Sequence, residues 1–317
     1  MVDVDGHHPR GYLYLAVDNE SNPIMKKILL AIAILAFTGV ASAQQQPNFL
    51  FYQQNMSTIN PAYAGTQGRF VGLNYRSAWQ GIEDAPRAAT LVYNTSEKNN
   101  AAWGFTYSTD RVYVENQGVI AADYSYKLKV DEKTNLFLGI KAGLLYNNID
   151  LAKLNRITNE QNPALDGLDN YMNPLVGVGA LLKGERFFVG ASVPNFLNTE
   201  RFKEVNGVAT TATDKPHFYF TAGYELPINA YLDFNPSVLY RVVGAAPNQL
   251  TAIAQVTYLD KISAGLGVSN NDYISGLVMF HNLNQFSFGY GYEVAQRTTA
   301  TALRANTHEL VIRYQFD

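Results

Sequence analysis

The sequence predicts an all-β fold, a transmembrane antiparallel β-barrel of about 14 strands with a short N-terminal plug segment. Three observations predict it. Apolar and polar residues alternate along much of the chain, the composition is rich in Tyr and Gly, and a hydrophobic leader precedes the alternating segments. The 317 residues include 21 Tyr and 24 Gly, and only 16% are charged, which is unusual for a soluble enzyme.

Charge and cysteine content exclude several classes of function. The formal net charge is -3, so no basic field indicates a nucleic-acid partner. The chain contains no Cys, which excludes disulfides, thiolate zinc sites and thiol nucleophiles.

The leader is the stretch MKKILLAIAILAFTGVASA at 25–43. Lys26 and Lys27 form its charged start, an apolar run follows, and Ala41-Ser42-Ala43 matches a small-residue cleavage site. The apolar run is too short for a membrane helix. The pattern therefore predicts a signal peptide that is cleaved near Ala43.

The leader divides the chain into four segments. A signal peptide is read from the N-terminus, so we interpret residues 1–24 as an extension outside the translated protein, which would start at Met25. Residues 25–43 are the signal peptide, 44–68 the plug segment and 69–317 the outer-membrane β-barrel.

The alternation separates two faces. In THELVIRYQFD at the C-terminus, one face carries Leu310, Ile312, Tyr314 and Phe316, and the other carries Glu309, Val311, Arg313 and Gln315. The segments QFSFGYGYE and GVIAADYSYKL show the same pattern, and Tyr residues recur near segment ends. A soluble barrel or sandwich would give the same periodicity. The leader, the Tyr content and the terminal Phe316 favour lipid outside and a polar lumen inside.

The alternating segments also predict strand positions and connections. Connections after even-numbered strands are short (SEKNN, VDEK, KGE, PIN, LDK and HNLN), whereas several after odd-numbered strands are long, as in barrels with short periplasmic turns and longer outer loops. Predicted strands begin near Arg69, Arg87, Asn100, Gln117, Thr134, Tyr171, Arg186, Pro216, Ala230, Gln249, Ile262, Tyr273, Gln285 and Asn306.

Catalytic and metal-binding patterns are missing from the sequence. After the leader the histidines are His217, His281 (in a predicted turn) and His308, and their spacing matches no metal site. No nucleophile motif of the form G-x-S-x-G occurs. We therefore expect no enzyme activity and no cofactor. Charged residues at lumen positions are expected to pair with one another in a narrow interior: Arg76, Asp123, Lys127, Lys141, Arg241, Glu309 and Arg313.

Two stretches resemble the PorP/SprF family of Bacteroidetes outer-membrane proteins, which are linked to type IX secretion and gliding. They are YQQNMSTINPAYAG at 52–65 and NYRSAWQGIEDAPRAATLVYN at 74–94. The matching residues are Gln53, Asn60, Pro61, Ala62, Tyr63, Ala64, Gly65, Arg76, Trp79 and Pro86, with HELVIRYQF at the end of the chain. The candidate residues of the plug and partner motif are these from Gln53 to Gly65 without Ala64, together with Tyr52. Residues 1–24 have no counterpart in the family pattern.

The resemblance implies a role in secretion rather than catalysis. Family members work with type IX components, and some secrete or hold a surface protein, such as an adhesin, that has a C-terminal sorting domain. It implies an outer-membrane location in a Gram-negative bacterium, contact with outer-membrane lipid, and no nucleic-acid partner. Trp79 is a candidate for an outer loop.

The segment before the first strand is predicted to fold into the barrel mouth as a partial plug. Asn60-Pro61 favours a turn, the side-chain amides can satisfy lumen groups, and Phe49, Tyr52 and Tyr63 can pack as wedges. A disordered tail is the alternative, and the aromatic residues disfavour it.

Two channel functions remain open. A fatty-acid channel of the FadL type also has about fourteen strands and an N-terminal hatch with Asn-Pro-Ala, but such chains are longer. A small-solute porin needs a constriction loop, and the loop at Asn147–Asn170 lacks the dense charge rows that a constriction uses. An apolar pocket leading to a gap in the barrel wall would favour the fatty-acid channel. An open lumen would favour the porin.

Overall fold

The computed structural model describes residues 49–79, 81–82, 84–150, 170–197, 199–205, 208–244, 246–270, 273–295 and 306–317. The predicted extension, the signal peptide and most of the Asn147–Asn170 loop lie outside these ranges. Within them, no helix is both long and apolar enough to cross a bilayer.

Seventeen strands follow three short 3₁₀ turns at Tyr52–Gln54, Met56–Thr58 and Pro61–Tyr63 within the described ranges. The strands are β1 (Phe70–Ser77), β2 (Arg87–Asn94), β3 (Ala101–Val112), β4 (Glu115–Lys129), β5 (Asn135–Ile149), β6 (Asn170–Lys183), β7 (Phe187–Val193), β8 (Thr199–Val205), β9 (Val208–Asp214), β10 (His217–Tyr224), β11 (Leu226–Asn229), β12 (Leu232–Val243), β13 (Ala246–Tyr258), β14 (Ile262–Ser269), β15 (Tyr273–Leu283), β16 (Phe286–Ala295) and β17 (Thr307–Gln315).

All but two of these strands form one closed antiparallel sheet. Strands β1 to β7 pair in sequence, β1 also pairs with β17, and β10 pairs with both β7 and β12, which closes the ring. After Glu225 the short β11 continues along β12, so β10 and β11 are two parts of one barrel strand. The prediction is confirmed: the fold is a closed 14-strand antiparallel β-barrel. Strands β8 and β9 form a separate hairpin.

The two faces of each strand follow the predicted alternation. On β17, Leu310 and Ile312 are half exposed on the outer surface, whereas Glu309 and Val311, which alternate with them, are buried. Strand β16 repeats the pattern with Phe288 outside and Ser287 inside. An apolar exterior around a polar interior, with every strand paired on both sides, is the arrangement that a bilayer requires.

The observed strands start close to the predicted positions, and the largest shift is at β13, which begins at Ala246 rather than Gln249. Two predicted connections are wrong. Residues 227–229 belong to β11, because they pair with the start of β12. His281 lies in β15 rather than in a turn, since that strand continues through a bulge between Phe280 and Leu283.

The outward position of Leu310 gives a direct test of the membrane-facing surface. Leu310→Arg should destabilise the folded barrel by about 2–4 kcal/mol if residue 310 lies near the bilayer midplane. Urea titration of the barrel refolded into lipid vesicles measures this. Val130→Arg is the matched control, because Val130 is also exposed but lies in the turn after β4. Equal stability of both variants would place Leu310 away from lipid.

Candidate functional site

The candidate site is the lumen segment, which we define as residues 49–68 inside the barrel. Its 3₁₀ turn at Pro61–Tyr63 begins for a local reason. The Asn60 side-chain oxygen accepts a hydrogen bond from the Ala62 N–H at 3.0 Å, and Pro61 occupies the first helical position, where no N–H is needed. Residues of the segment itself therefore fix where this turn begins.

A cross-strand row on the barrel wall receives this turn. Ser125, Gly139, Gly179 and Ser192 lie opposite one another on β4, β5, β6 and β7. The two hydroxyl groups at the ends of the row donate to the backbone of the lumen segment: Ser125 Oγ to Ala62 O at 3.0 Å and Ser192 Oγ to Ile59 O at 2.7 Å. We call these four residues the cradle row.

The two central glycines allow the close approach. A Cβ atom at Gly139 would lie 2.2 Å from the Ala62 nitrogen, and one at Gly179 would lie 2.0 Å from Asn60 Oδ1. Any larger residue would push the turn away from the wall. Asn60 also donates through Nδ2 to the Ala180 carbonyl at 3.1 Å, so its amide links the turn to β6.

The opposite wall holds the start of the segment through Glu309. This carboxylate is fully buried and accepts the backbone N–H of Leu50 at 2.8 Å and of Phe51 at 2.9 Å. Asn74 Nδ2 donates to it at 3.0 Å, and Arg76 lies 3.3 Å away. We call this arrangement the Glu309 clamp.

Further ion pairs complete the electrostatics of the lumen. Arg76 also pairs with Glu293 at 2.6 Å, and Lys141 pairs with Asp123 at 2.8 Å. The Lys141 ammonium also donates to the Ser57 carbonyl at 3.0 Å. Arg76 and Lys141 therefore each have a carboxylate partner, which offsets the cost of removing these two charges from water.

The aromatic residues of the segment pack between the walls. The Tyr52 hydroxyl donates to Ser237 Oγ at 2.9 Å, and burial raises the pKa of Tyr52 to about 12, so the hydroxyl keeps its proton. The Tyr63 ring meets Phe188 edge to face, with centroids 6.2 Å apart. Phe49 is only partly buried, and Phe51 is the deeply buried wedge beside Tyr52.

The structure brings most of the sequence-predicted residues together. Within the segment, the Gln53 carbonyl accepts from Gln67 Nε2 at 3.2 Å, and Gly65 adopts a left-handed φ of 79° against Ala102 of β3. The six lumen candidates Arg76, Asp123, Lys141, Arg241, Glu309 and Arg313 all lie on the inner face of their strands.

Three other predicted residues lie away from the clamp and the cradle row. Arg313 donates to the Gln67 side chain at 2.8 Å, and Lys127 pairs with Glu97 at 2.6 Å. Trp79 lies in the loop between β1 and β2, with a left-handed φ of 52°.

Sequence reasoning missed Glu293, which pairs with Arg76, and the two glycines of the cradle row. Glu293 stands on the predicted polar face of β16, and that position was the available signal for it. The glycines of the cradle row carried no signal in the sequence, because their role depends on the distant residues that pack against them. Within the described ranges, no cluster of three or more His, Asp or Glu side chains is placed to hold a metal ion.

These features define a membrane β-barrel whose lumen is occupied by its own N-terminal segment. The chain belongs to the PorP/SprF family of type IX secretion system membrane proteins, whose family model matches residues 41–314.

Solved structures with a similar backbone are distant in sequence. The chain is similar to outer membrane protein Omp33 of Acinetobacter baumannii, with 11% identity and a TM-score of 0.46 over 78% of this chain and 98% of that one. It is similar to the toluene transporter TodX of Pseudomonas putida, with 10% identity and a TM-score of 0.45 over 82% and 93% of the two chains. It is also similar to the monoaromatic hydrocarbon channel CymD, with 12% identity and a TM-score of 0.45 over 82% of this chain and 92% of that one. A search of curated proteins finds no significant match.

The Glu309 clamp predicts a large effect from a small change. Glu309→Gln removes the charge opposite Arg76 and places an amide donor near two backbone N–H groups, so it should lower the free energy of unfolding by about 3–5 kcal/mol. Urea titration in vesicles measures the loss. Glu97→Gln is the control, since its pair with Lys127 is partly exposed and should contribute about 0–1 kcal/mol. An equal effect of the two changes would contradict the clamp.

The cradle row predicts that an added methyl group displaces the lumen segment. Gly179→Ala should still give a folded barrel but should raise ion conductance across a planar bilayer, because the Asn60 turn no longer fits against β6. Gly276→Ala is the control, since a Cβ there meets nothing within 4 Å. Unchanged conductance in Gly179→Ala would show that the turn does not seal the lumen.

Proposed function

We propose that this barrel is an outer-membrane subunit of a type IX secretion system that binds a secreted surface protein and anchors it or assists its export. The expected cargo is adhesin-like and has a C-terminal sorting domain, and the role extends to gliding. The barrel would reach the outer membrane of a Gram-negative bacterium after signal peptide cleavage near Ala43. The observation that carries the proposal is the family match over residues 41–314.

The lumen geometry supports a binding role over transport and over catalysis. The lumen segment makes hydrogen bonds to walls on opposite sides, from Glu309 on β17 to Ser192 on β7. Several of the charged side chains that an ion pathway would use are engaged in ion pairs, such as Lys141 with Asp123. The loops and turns at the two barrel ends are then the surfaces left for type IX components and cargo, while the outer face contacts lipid.

A hydrophobic-compound channel is the alternative that one observation favours. An apolar groove lies in the barrel wall beside Pro236, as a lateral entrance would. On the lumen side of this groove, the Tyr52 hydroxyl is hydrogen-bonded to Ser237, which argues that the route from the groove into the lumen is closed. Liposomes containing the barrel decide between the two: uptake of fatty acids or small solutes above that of empty liposomes would favour the channel or a porin.

Affinity purification from native outer membranes tests the proposal. The full-length barrel is isolated in mild detergent, and the proteins that accompany it are identified by mass spectrometry. We expect type IX components, one large secreted protein, or both. A barrel that purifies alone under conditions that keep other outer-membrane complexes intact would contradict the proposal.

The Asn60-Pro61 turn gives the variant for this experiment. Replacing both residues with Ala removes the bond to the Ala180 carbonyl and the cap at Ala62, so it should loosen the lumen segment and reduce partner retention while the barrel still inserts. Asn173→Ala with Pro174→Ala is the control, because it changes the same residue types on β6, outside the lumen segment. If the Asn60-Pro61 variant fails to insert into the membrane as a folded barrel, the turn has a structural role and no separate role in partner retention.

A further inference from the structure

The outer surface of the barrel carries an apolar groove of about 660 Å3. It crosses β7, β10, β12, β13 and β14, and we call it the wall groove. Its volume lies within the roughly 300–1,000 Å3 that is typical of small-molecule sites. Most of its lining residues point outward by strand alternation, so the groove faces the bilayer.

The cross-strand registers explain why a groove forms here. Two neighbouring rows of outward residues place alanine and proline between larger side chains. The first row is Val189, Ala222, Val238, Ala252 and Val268. The second row is Phe187, Tyr224, Pro236, Ala254 and Leu266. Alanine and proline in the centre leave a depression that the neighbouring Leu and Tyr side chains border.

The wall is interrupted at the same place. Pairing between β10 and β12 ends at Gly223 opposite Ser237. Pairing with β12 resumes on β11, where Leu226 lies opposite Phe234. Pro236 lies in the interval and has no N–H to donate to the ladder. Lumen-side residues therefore take part in the lining, including Phe188 and Ser237.

The inner end of the groove is blind. Ser237 accepts the Tyr52 hydroxyl at 2.9 Å, and Phe188 packs against Tyr63. Both tyrosines belong to the lumen segment and are buried. A molecule that enters from the bilayer would stop against the segment instead of passing into the lumen.

We propose that the wall groove binds one acyl chain of a membrane phospholipid. The groove continues the apolar belt that the bilayer covers, so an acyl chain reaches it without crossing water. Arg186 directly precedes Phe187 at the short-turn end, is exposed, and has no carboxylate partner among the residues described here. Its guanidinium suits the phosphate of the same lipid. This site is independent of the proposed role in secretion.

Native mass spectrometry of the barrel, purified from outer membranes in mild detergent, tests the site. The wild-type barrel should retain a phospholipid through exchange into fresh detergent. Ala254→Trp fills the groove and should abolish retention. Ala142→Trp should retain the lipid, because residue 142 is also exposed on the outer face but lies on β5, away from the groove. Arg186→Gln should weaken retention without abolishing it.

Two results would overturn the proposal. One is a wild-type barrel that retains no phospholipid, and the other is equal retention by Ala254→Trp and Ala142→Trp. Unchanged retention in Arg186→Gln would remove the phosphate contact. If Ala254→Trp does not fold, Ala252→Leu tests the same groove with a smaller addition, and it should also lower retention.

Discussion

The structure depends on how a closed barrel satisfies the charges that point into its lumen. An unpaired carboxylate in such an interior is costly, and removing one partner of a buried pair costs more than the pair contributes. Glu309 meets this constraint with Arg76 and Asn74 from the wall and two backbone N–H groups from the lumen segment. The wall supplies the charge and the segment supplies donors, so each completes the other.

The same reasoning explains why the lumen segment behaves as part of the barrel. Its turns are too short to be stable alone, because each is a single 3₁₀ turn. Their carbonyl groups are bonded by wall side chains, with Lys141 on Ser57 and Ser192 on Ile59. The segment can be held only when the barrel is closed, because the wall residues that bind it lie on strands far apart in sequence.

The sequence predicted most of the fold because strand alternation is a local signal. Leu310 and Glu309 are assigned to opposite faces by their parity alone, and the structure agrees. The errors arise where non-local pairing overrides local cues. PIN at 227–229 reads as a turn, yet it pairs with β12 beyond the break at Glu225. His281 is likewise held in β15 by its neighbours, including Ser263 at 2.6 Å.

The lumen residues were predictable as a set, but their partners depend on register. Asp123 and Lys141 stand directly opposite on β4 and β5, a hairpin whose short turn fixes the alignment. Arg76 and Glu309 are also directly opposite, but on β1 and β17, which meet only when the barrel closes.

The role of the cradle row could not be predicted from the sequence either. Gly139 faces Gly179 across β5 and β6, and the need for two glycines there follows only from the position of Asn60 and Ala62 against them. In the cradle row, the strand register places the two serine hydroxyl donors on either side of the two glycines. The turn at Pro61–Tyr63 packs against this row, so the register fits the wall to the lumen segment. The wall of this barrel is therefore shaped to hold its own N-terminal segment.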